Sequence, residues 1–563
     1  MNFLNMNRRD FVRRTSLLTA SGFFFSKYAG ACDQKFVVAD TVFGKVRGIE
    51  SRGGIKIFKG IHYGASTAGA NRFMPPVDPE SWTGVRDALE YGHRAPQSAP
   101  PKNDHGTTGT ITTTPPKTPY PSIFTALEVP GNKFTGEDED CLVLNIWTPG
   151  LSDSRKRPVM FWLHGGGFSS GAGSNTGWDG TNLCLRGDVV VITINHRLNV
   201  MGFANLSAFS PDFASSGDNG MLDIVHALKW VRKNISNFGG DPNCVMIFGQ
   251  SGGGQKCESL LSMPLAKGLF HRAVIESGIS IKTIDKELAT KNAEALLDKL
   301  SISKENVHDI QKVPLEDIMA AYFAIGRDLG KIEPHNPGFI PSVDGHILPQ
   351  HPFYPAASTV SPDVPVIIGC TRTEWTGLTT DVSLWHLDEA GLQAEVKKSI
   401  GDPSEKIIEL YRKINPEATP SELYFLIQSD YTYCVPTIKI AERRAALNRG
   451  PVYAYYFAWE SPVQDGLLKT PHNMEWPFAF DNTELCAKIT GGGPRPLALA
   501  DKVSDAWIAF ARTGDPNTKK LPHWPKFNAK DRPTMVINDE SKVINDPLKE
   551  QRTAMYGLLK YGD

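Results

Sequence analysis

The sequence lacks the patterns typical of nucleic-acid-binding, membrane-spanning and metal-binding proteins. Its 60 Lys and Arg residues balance 61 Asp and Glu residues, and no basic run is long enough to follow a phosphate backbone. No apolar stretch reaches the ~18 residues of a membrane span. The 8 cysteines form no Cys-x-x-Cys pair, and no His-Glu-x-x-His occurs, so no metal site is predicted. The composition favours an ordinary globular protein with a sizeable core.

The first 31 residues are typical of an export signal. Arg8 and Arg9 precede an aromatic residue, residues 17–25 are moderately apolar, and Ala29-Gly30-Ala31 has the small-x-small pattern of a cleavage site. The twin arginine favours the Tat route and predicts a periplasmic or secreted protein, with a basic amphipathic helix as the alternative. Cys32 leaves a lipid anchor open, although a lipobox prefers Leu where this chain has Ala29.

Residues 32–563 alternate strand and helix patterns, which predicts a single α/β domain with a mostly parallel central sheet. Continuous apolar runs are typical of strands covered on both faces, and they occur at 159–163, 189–194 and 364–369. Apolar residues recur every three or four positions between 220 and 235, which predicts a helix with Asp218 or Asn219 as its N-cap. Residues 36–57 are predicted to form a hairpin, and residues 284–345 and 380–450 to be mainly helical.

The apolar run 245–248 leads directly into Gly249-Gln250-Ser251-Gly252-Gly253. A strand followed by Gly-x-Ser-x-Gly and a helix is the nucleophile elbow of the α/β-hydrolase fold, in which a tight turn presents one serine hydroxyl. The alternative is a Gly-rich loop without chemistry. The context favours Ser251 as a catalytic nucleophile.

A second glycine motif, His164-Gly165-Gly166-Gly167-Phe168, follows the strand predicted at 159–163. It matches the HGGG motif whose backbone N–H groups bind an oxyanion in esterases. We expect Gly166, Gly167 and the N–H of Gly252 to form such an oxyanion hole. A plain glycine turn after a strand is the alternative.

With these motifs, the chain resembles the type-B carboxylesterase/lipase family, and bacterial carboxylesterases in particular. Further stretches carry the resemblance over nearly the whole chain after the signal segment: 58–61 with 72–73, 139–146, 238–242 and 524–527. The resemblance implies the α/β-hydrolase fold with helical insertions and hydrolysis of carboxylic esters through an acyl-enzyme. It implies no cofactor and a small-molecule ester as substrate.

The resemblance also implies the catalytic partners of Ser251. The family's triad is Ser, Glu and His in chain order, which corresponds here to Glu374, just beyond a strand, and to His472, at the start of a His-x-x-Glu-x-x-Phe-x-Phe block. Ser277 matches a family serine that lies near the histidine. The alternative for Glu374 is a surface carboxylate, and the alternative for His472 is a structural loop histidine. A lipase, a carbamate or amide hydrolase, and a non-catalytic binding or adhesion protein remain open on this fold.

The chain departs from the family pattern beside the triad. Gln250 stands where cholinesterase-like members carry Glu, which favours neutral over cationic esters, unless Gln250 is only a packing residue.

Trp375 stands where many relatives have Gly, and Glu475 is expected to form a structural ion pair. The family disulfide partner of Cys141 is replaced by Ala95, so the Pro-, Thr- and Gly-rich segment 96–131 is predicted to be a mobile lid, with an insertion of no role as the alternative.

Overall fold

A large mixed sheet forms the centre of the molecule. The computed structural model describes residues 35–51, 53–99, 136–333 and 335–559. The predicted signal segment, Cys32 and nearly all of segment 96–131 lie outside these residues. The strands are β1 Phe36–Asp40, β2 Lys45–Glu50, β3 Lys56–His62, β4 Val85–Asp87, β5 Val143–Thr148, β6 Arg157–Leu163, β7 Val190–Ile194, β8 Gly240–Gln250, β9 Arg272–Glu276, β10 Ile284–Asp285, β11 Ser342–Val343, β12 Val366–Thr371, β13 Val452–Phe457, β14 Pro533–Ile537 and β15 Lys542–Asn545.

Among the described strands, all but β10 and β11 form one 13-stranded sheet. Its order is β1-β2-β3-β5-β7-β6-β8-β9-β12-β13-β14-β15, with β4 paired to β2. Neighbours from β7 to β14 in this order are parallel. The pairs outside that stretch are antiparallel, apart from the parallel pair of β2 and β4. Strands β10 and β11 form a separate parallel pair. The mostly parallel sheet and the N-terminal hairpin predicted from the sequence are confirmed.

Helices cover both faces of the sheet. They are α1 Thr181–Gly187, α2 Asn199–Phe203, α3 Asn219–Asn234, α4 Gly252–Ser262, α5 Lys286–Lys299, α6 Leu315–Gly326, α7 Leu329–Ile332, α8 Trp375–Leu378, α9 Glu389–Ile400, α10 Ser404–Ile414, α11 Pro420–Ser429, α12 Val435–Ala445, α13 Trp476–Ala479, α14 Ala487–Thr490, α15 Pro494–Thr513 and α16 Lys549–Met555, with a π-helical turn at Asp430–Cys434 between α11 and α12. Within the described part of the chain, no helix combines the length and apolar character needed to cross a membrane.

Strand β6 shows why the central strands are continuously apolar. Phe161 and Leu163 belong to one hydrophobic core, whereas Met160 and Trp162 belong to a second core on the opposite face. Successive strand side chains point to opposite faces, so a strand between two helical layers needs an apolar residue at every position.

The predicted helix at 220–235 is present as α3, but its N-cap acts differently from expectation. Asp218 occupies the N-cap position without a side-chain cap bond. Its carboxylate instead accepts a hydrogen bond of 3.1 Å from the Ser342 N–H, at β11. Burial, followed by the charge of Asp344, raises the pKa of Asp218 well above its usual value. The residue therefore ties the insertion around β11 to the start of α3.

The carboxyl ends of the parallel strands meet at one edge of the sheet. In sheet order, β6, β8, β9, β12 and β13 are consecutive neighbours. The loops after them carry, respectively, the triple glycine, Ser251, Ser277, Glu374 and His472. Ligands of open α/β sheets bind at this edge, because the loops there are free to carry function while the strands hold their positions.

Candidate active site

Ser251 sits in a strained turn between β8 and α4. Its backbone has φ 57° and ψ −124°, an unusual conformation for a residue with a side chain. The Ser251 N–H donates to the Glu276 carbonyl at 2.7 Å, which ties the turn to β9. A Cβ on Gly253 would overlap the Leu163 carbonyl, and one on Gly249 would press on Gly253 at 2.5 Å. The flanking glycines are therefore required by backbone packing.

Glu374 and His472 form a buried pair. The Glu374 Oε2 atom accepts a short hydrogen bond from Nδ1 of His472, and the two side chains are 0% and 2% exposed. The other carboxylate oxygen accepts from the Thr371 N–H and from the Ser277 hydroxyl, both at 2.7 Å. With Nδ1 as the donor, Nε2 of His472 is the nitrogen that can accept a proton.

A second carboxyl group, that of Glu475, stands behind this pair. The Ser277 hydroxyl lies 2.5 Å from Glu475 Oε1 as well as 2.7 Å from Glu374 Oε1. Burial, followed by the negative charge of Glu374, raises the pKa of Glu475. A protonated Glu475 donates to Ser277, and the single Ser277 proton then goes to Glu374.

Glu475 therefore differs from the expected ion-pair residue. Within the described residues it has no Lys or Arg partner within 4.0 Å, and its second oxygen has no hydrogen-bond partner. Glu276 is a further buried carboxyl group beside Glu475. Burial, followed by the charge of Glu475, raises the pKa of Glu276. The Glu276 Oε1 atom accepts a hydrogen bond of 2.8 Å from Trp507 Nε1. Burial therefore raises the pKa of both carboxyl groups, Glu276 and Glu475, that lie behind the Glu374–His472 pair.

Gln250 contacts the histidine ring directly. Its Nε2 atom lies 3.2 Å from Nε2 and 3.5 Å from Nδ1 of His472, and the Gln250 side chain is buried. The ring is also covered by Tyr433, whose centroid lies 5.1 Å from that of His472. The neighbour of the candidate base is therefore a neutral amide.

Hydrogen bonds within the triple-glycine loop occupy the carbonyls of Gly165 and Gly166. Gly166 and Gly167 have φ of 88° and 61°, in the left-handed region that glycine adopts readily. The Gly165 carbonyl accepts from His164 Nδ1 at 2.8 Å, and the Gly166 carbonyl accepts from the Ser170 N–H at 3.1 Å. In a planar trans peptide the next N–H points the opposite way, so these bonds aim the Gly166 and Gly167 N–H groups away from the loop's own acceptors.

No described residue accepts a hydrogen bond from the N–H groups of Gly166 or Gly167. A Cβ on Gly252 would overlap the Gly167 backbone, so the loop lies directly against the start of α4. Unused backbone donors beside a helix N-terminus attract negative charge. Gly166, Gly167 and Gly252, which the sequence predicts to form an oxyanion hole, therefore lie next to one another.

A cavity of about 440 Å³ opens beside the Ser251 hydroxyl. The Trp375 indole forms part of its wall and is held by a hydrogen bond of 2.7 Å from its Nε1 to Thr432 Oγ1. The described residues that line the cavity are Ser251, Gln255, Ser277, Ile279, Trp375, Leu378, Thr432 and Tyr433. None of these side chains carries a formal charge at neutral pH.

Several neighbours of the site were not predicted from the sequence. They include the Thr371 N–H, the Thr432 and Tyr433 walls, and Lys256, whose ammonium group contacts the triple-glycine loop. No local sequence pattern marks these neighbours; Lys256 is one of two Lys, Arg, Asp or Glu residues, with Glu258, in the helix that follows the elbow. In the described residues no group of three or more His, Cys, Asp or Glu side chains is arranged to hold a metal ion, and every cysteine there is free.

A serine in a strand-to-helix elbow, a buried Glu–His pair and unused N–H donors at one edge of a parallel sheet together define a serine hydrolase of the α/β-hydrolase type. Comparison with known proteins places the chain within this class. The profile of the carboxylesterase family matches residues 34–556. The chain therefore belongs to the carboxylesterase family and is a carboxylic-ester hydrolase, as the sequence resemblance implied.

Individual relatives support this assignment. The para-nitrobenzyl esterase of Bacillus subtilis (strain 168) is 34% identical over 525 residues, which cover 92% of this chain and 98% of the relative. A Geobacillus stearothermophilus carboxylesterase superposes with a TM-score of 0.75 at 34% identity, covering 92% of this chain and 99% of its own. An esterase from anaerobic Clostridium hathewayi, which can hydrolyse aliphatic aromatic polyesters, superposes with a TM-score of 0.77 at 33% identity, covering 93% and 100%.

Proposed function

We propose that Ser251, His472 and Glu374 hydrolyse carboxylic esters by two-step acyl transfer. The observation that carries this proposal is the buried Glu374–His472 hydrogen bond at the same sheet edge as the strained Ser251 turn. A serine hydroxyl is a weak nucleophile near neutral pH and needs a base that is held in the correct tautomer. The contacts of Glu374 supply that orientation.

In the first step, Nε2 of His472 takes the Ser251 proton as the hydroxyl oxygen attacks the ester carbonyl carbon. Glu374 stabilises the imidazolium that forms, and the N–H groups of Gly166, Gly167 and Gly252 stabilise the oxyanion. His472 then protonates the departing alcohol. In the second step, a water activated by His472 attacks the acyl group on Ser251, and the carboxylic acid leaves.

The test is labelling by a fluorophosphonate probe together with the Ser251→Ala variant. The wild-type protein should be labelled at Ser251, and Ser251→Ala should lose at least about 10⁴-fold in kcat on p-nitrophenyl acetate. Circular dichroism checks that the variant is folded. Hydrolysis by folded Ser251→Ala at the wild-type rate would show that the nucleophile is elsewhere.

We further propose that neutral esters are the preferred substrates. Two observations support this: the described cavity walls carry no charge, and the amide of Gln250 replaces a carboxylate beside the histidine. A carboxylate at position 250 would attract a cationic substrate; at a separation of about 4 Å in water this attraction amounts to about 1 kcal/mol. Its absence removes that preference.

The matched substrates for this test are the cationic ester acetylcholine and its uncharged isostere, 3,3-dimethylbutyl acetate. Gln250→Glu should raise the ratio of kcat/KM for the cationic over the neutral ester by about fivefold to tenfold. Gln250→Met, which keeps the length without charge, should leave the ratio unchanged. An unaltered ratio in Gln250→Glu would assign Gln250 a packing role only.

We also propose that the protein is exported by the Tat route. The support is the order of elements in the first 31 residues: Arg8-Arg9, an apolar stretch and Ala29-Gly30-Ala31. Replacing both arginines by lysine should leave the esterase activity in the cytoplasmic fraction of a Tat-competent bacterium, whereas the wild-type chain should deliver it to the periplasm. Activity that stays with the membrane and is released by Cys32→Ala would indicate the lipid-anchored form instead.

A further inference from the structure

Lys256 is a buried lysine that contacts the backbone of the triple-glycine loop. It lies on α4, five positions after Ser251, and its side chain is fully buried. Its Nζ atom donates to the His164 carbonyl at 2.8 Å and to the Gly167 carbonyl at 2.9 Å. These two carbonyls stand at the two ends of the segment that carries the oxyanion N–H groups.

The surroundings of Lys256 contain no compensating negative charge among the described residues. No carboxylate lies within 4.0 Å of Nζ, and the Phe168 ring is 5.6 Å away. Burial lowers the pKa of Lys256 to about 7, and the neighbouring His164, His196 and Cys257 are themselves buried. An unpaired buried ammonium destabilises a fold unless hydrogen bonds offset its desolvation. Here the two carbonyls are the groups that accept them.

Lys256 completes the hydrogen bonding of four consecutive carbonyls. The Gly165 carbonyl accepts from His164 Nδ1. The Gly166 carbonyl accepts from the N–H groups of Ser169 and Ser170. Lys256 occupies the carbonyls of residues 164 and 167. Each of these four peptide planes has a hydrogen bond at its carbonyl, so none can flip without breaking one. In a planar trans peptide the N–H points opposite to the carbonyl, so the bonds to the carbonyls of residues 165 and 166 fix the directions of the Gly166 and Gly167 N–H groups, and Lys256 holds the planes on either side.

We propose that Lys256 is a positioning residue for the oxyanion hole, acting through its two hydrogen bonds to the triple-glycine loop. It touches neither the substrate nor the triad. We expect its effect to fall on the transition state. An aligned N–H group stabilises the oxyanion more strongly than it stabilises the carbonyl oxygen of the bound ester, and misalignment removes this difference. The inference rests on the acyl-transfer function proposed above.

Arg444 supplies a matched control. It is also a buried cation whose guanidinium donates to backbone carbonyls, those of Ser361 at 2.6 Å and Val364 at 2.9 Å. Burial lowers its pKa to about 10. These carbonyls precede β12, at the amino end of the strand and so at the opposite edge of the sheet from the site. Its removal tests what losing a buried cation does to the fold alone.

The experiment compares Lys256→Met with Arg444→Met. We expect Lys256→Met to lower kcat on p-nitrophenyl acetate by about 10- to 100-fold with KM within about threefold of wild type, somewhat less than the loss of a whole oxyanion donor. Binding of a trifluoromethyl ketone, which forms a tetrahedral oxyanion adduct with the nucleophile, should weaken by a similar factor. Arg444→Met should lower the Tm and keep kcat within about twofold.

Lys256→Gln covers the case in which the methionine variant does not fold. Its amide donates hydrogen bonds but is one bond too short to bridge both carbonyls, so we expect a loss in kcat of about threefold to tenfold. Wild-type kcat and wild-type ketone affinity in either folded variant would overturn the proposal. Failure of wild-type enzyme to bind the ketone through Ser251 would instead contradict the acyl-transfer function itself, so the two failures are distinguishable.

Discussion

One half of the active site is formed by backbone groups, and the other half is formed by buried side chains. The oxyanion half, between β6 and β8, consists of backbone: a Cβ would overlap its neighbours at Gly166 and at the glycines 252–254, and Gly166 and Gly167 have positive φ. The acid–base half, between β9, β12 and β13, consists of buried side chains in a hydrogen-bonded chain from Glu475 through Ser277 and Glu374 to His472. One half depends on steric fit, and the other depends on where protons reside.

The largest expected effect comes from the acid–base half. Glu374→Gln should lower kcat by about 10⁴-fold, because an amide does not stabilise the imidazolium and can hold His472 in the wrong tautomer. Steady-state kinetics on p-nitrophenyl acetate measure the effect, and the Tm checks the fold. A loss below about tenfold would mean that the Glu374–His472 hydrogen bond is structural.

The next effect comes from the oxyanion half. Gly253→Ala places a methyl group on the Leu163 carbonyl, so β6 and α4 must separate, and we expect kcat/KM to fall by about 10²- to 10³-fold. Gly326→Ala, at an exposed helix end where a Cβ would meet nothing within 4 Å, is the control and should leave activity and stability nearly unchanged. Equal behaviour of the two variants would refute the steric account of this half.

A smaller effect is expected at the link between the carboxyl groups. Ser277→Ala removes the hydroxyl that lies between Glu374 and Glu475 and donates to Glu374, and we expect kcat to fall by about tenfold. The control is Ser504→Ala, another buried serine, whose hydroxyl donates only to the Ala500 carbonyl of its own helix at 2.6 Å. If both alanine variants keep wild-type kcat, the hydroxyl of Ser277 has no part in orienting the pair.

The smallest effect concerns pH. Because the pKa of Glu475 is raised in the folded state, the folded protein binds this proton more tightly than the unfolded chain, and stability falls as pH rises above 4.5 through the raised pKa. Glu475→Gln removes that dependence. We expect its Tm to exceed that of the wild type by about 1–3 °C at pH 8, with the difference shrinking toward pH 4.5 and kcat within about threefold. A Tm difference independent of pH would contradict a protonated Glu475.

The difference between the halves also explains what could be predicted from the sequence. The glycine motifs are contiguous, so strand, turn and helix could be recognised together, and the central strands followed from their apolar runs. Glu374 and His472 were located only through resemblance to a family, because 98 residues separate them and no local pattern marks either. The role expected of Glu475 was wrong because an ion pair needs a cation, and the fold places Ser277 there instead.

By itself, the sequence determined the α/β class, the position of the elbow and the glycine loop that faces it. These features depend on local rules: apolar periodicity, and backbone conformations that only glycine permits. The tertiary structure alone decided that burial beside Glu374 raises the pKa of Glu475, that the Gln250 amide lies against the His472 ring, and that Lys256 holds the loop carbonyls. Protonation and long-range hydrogen bonds depend on burial and on neighbours distant in the chain, which periodicity does not encode.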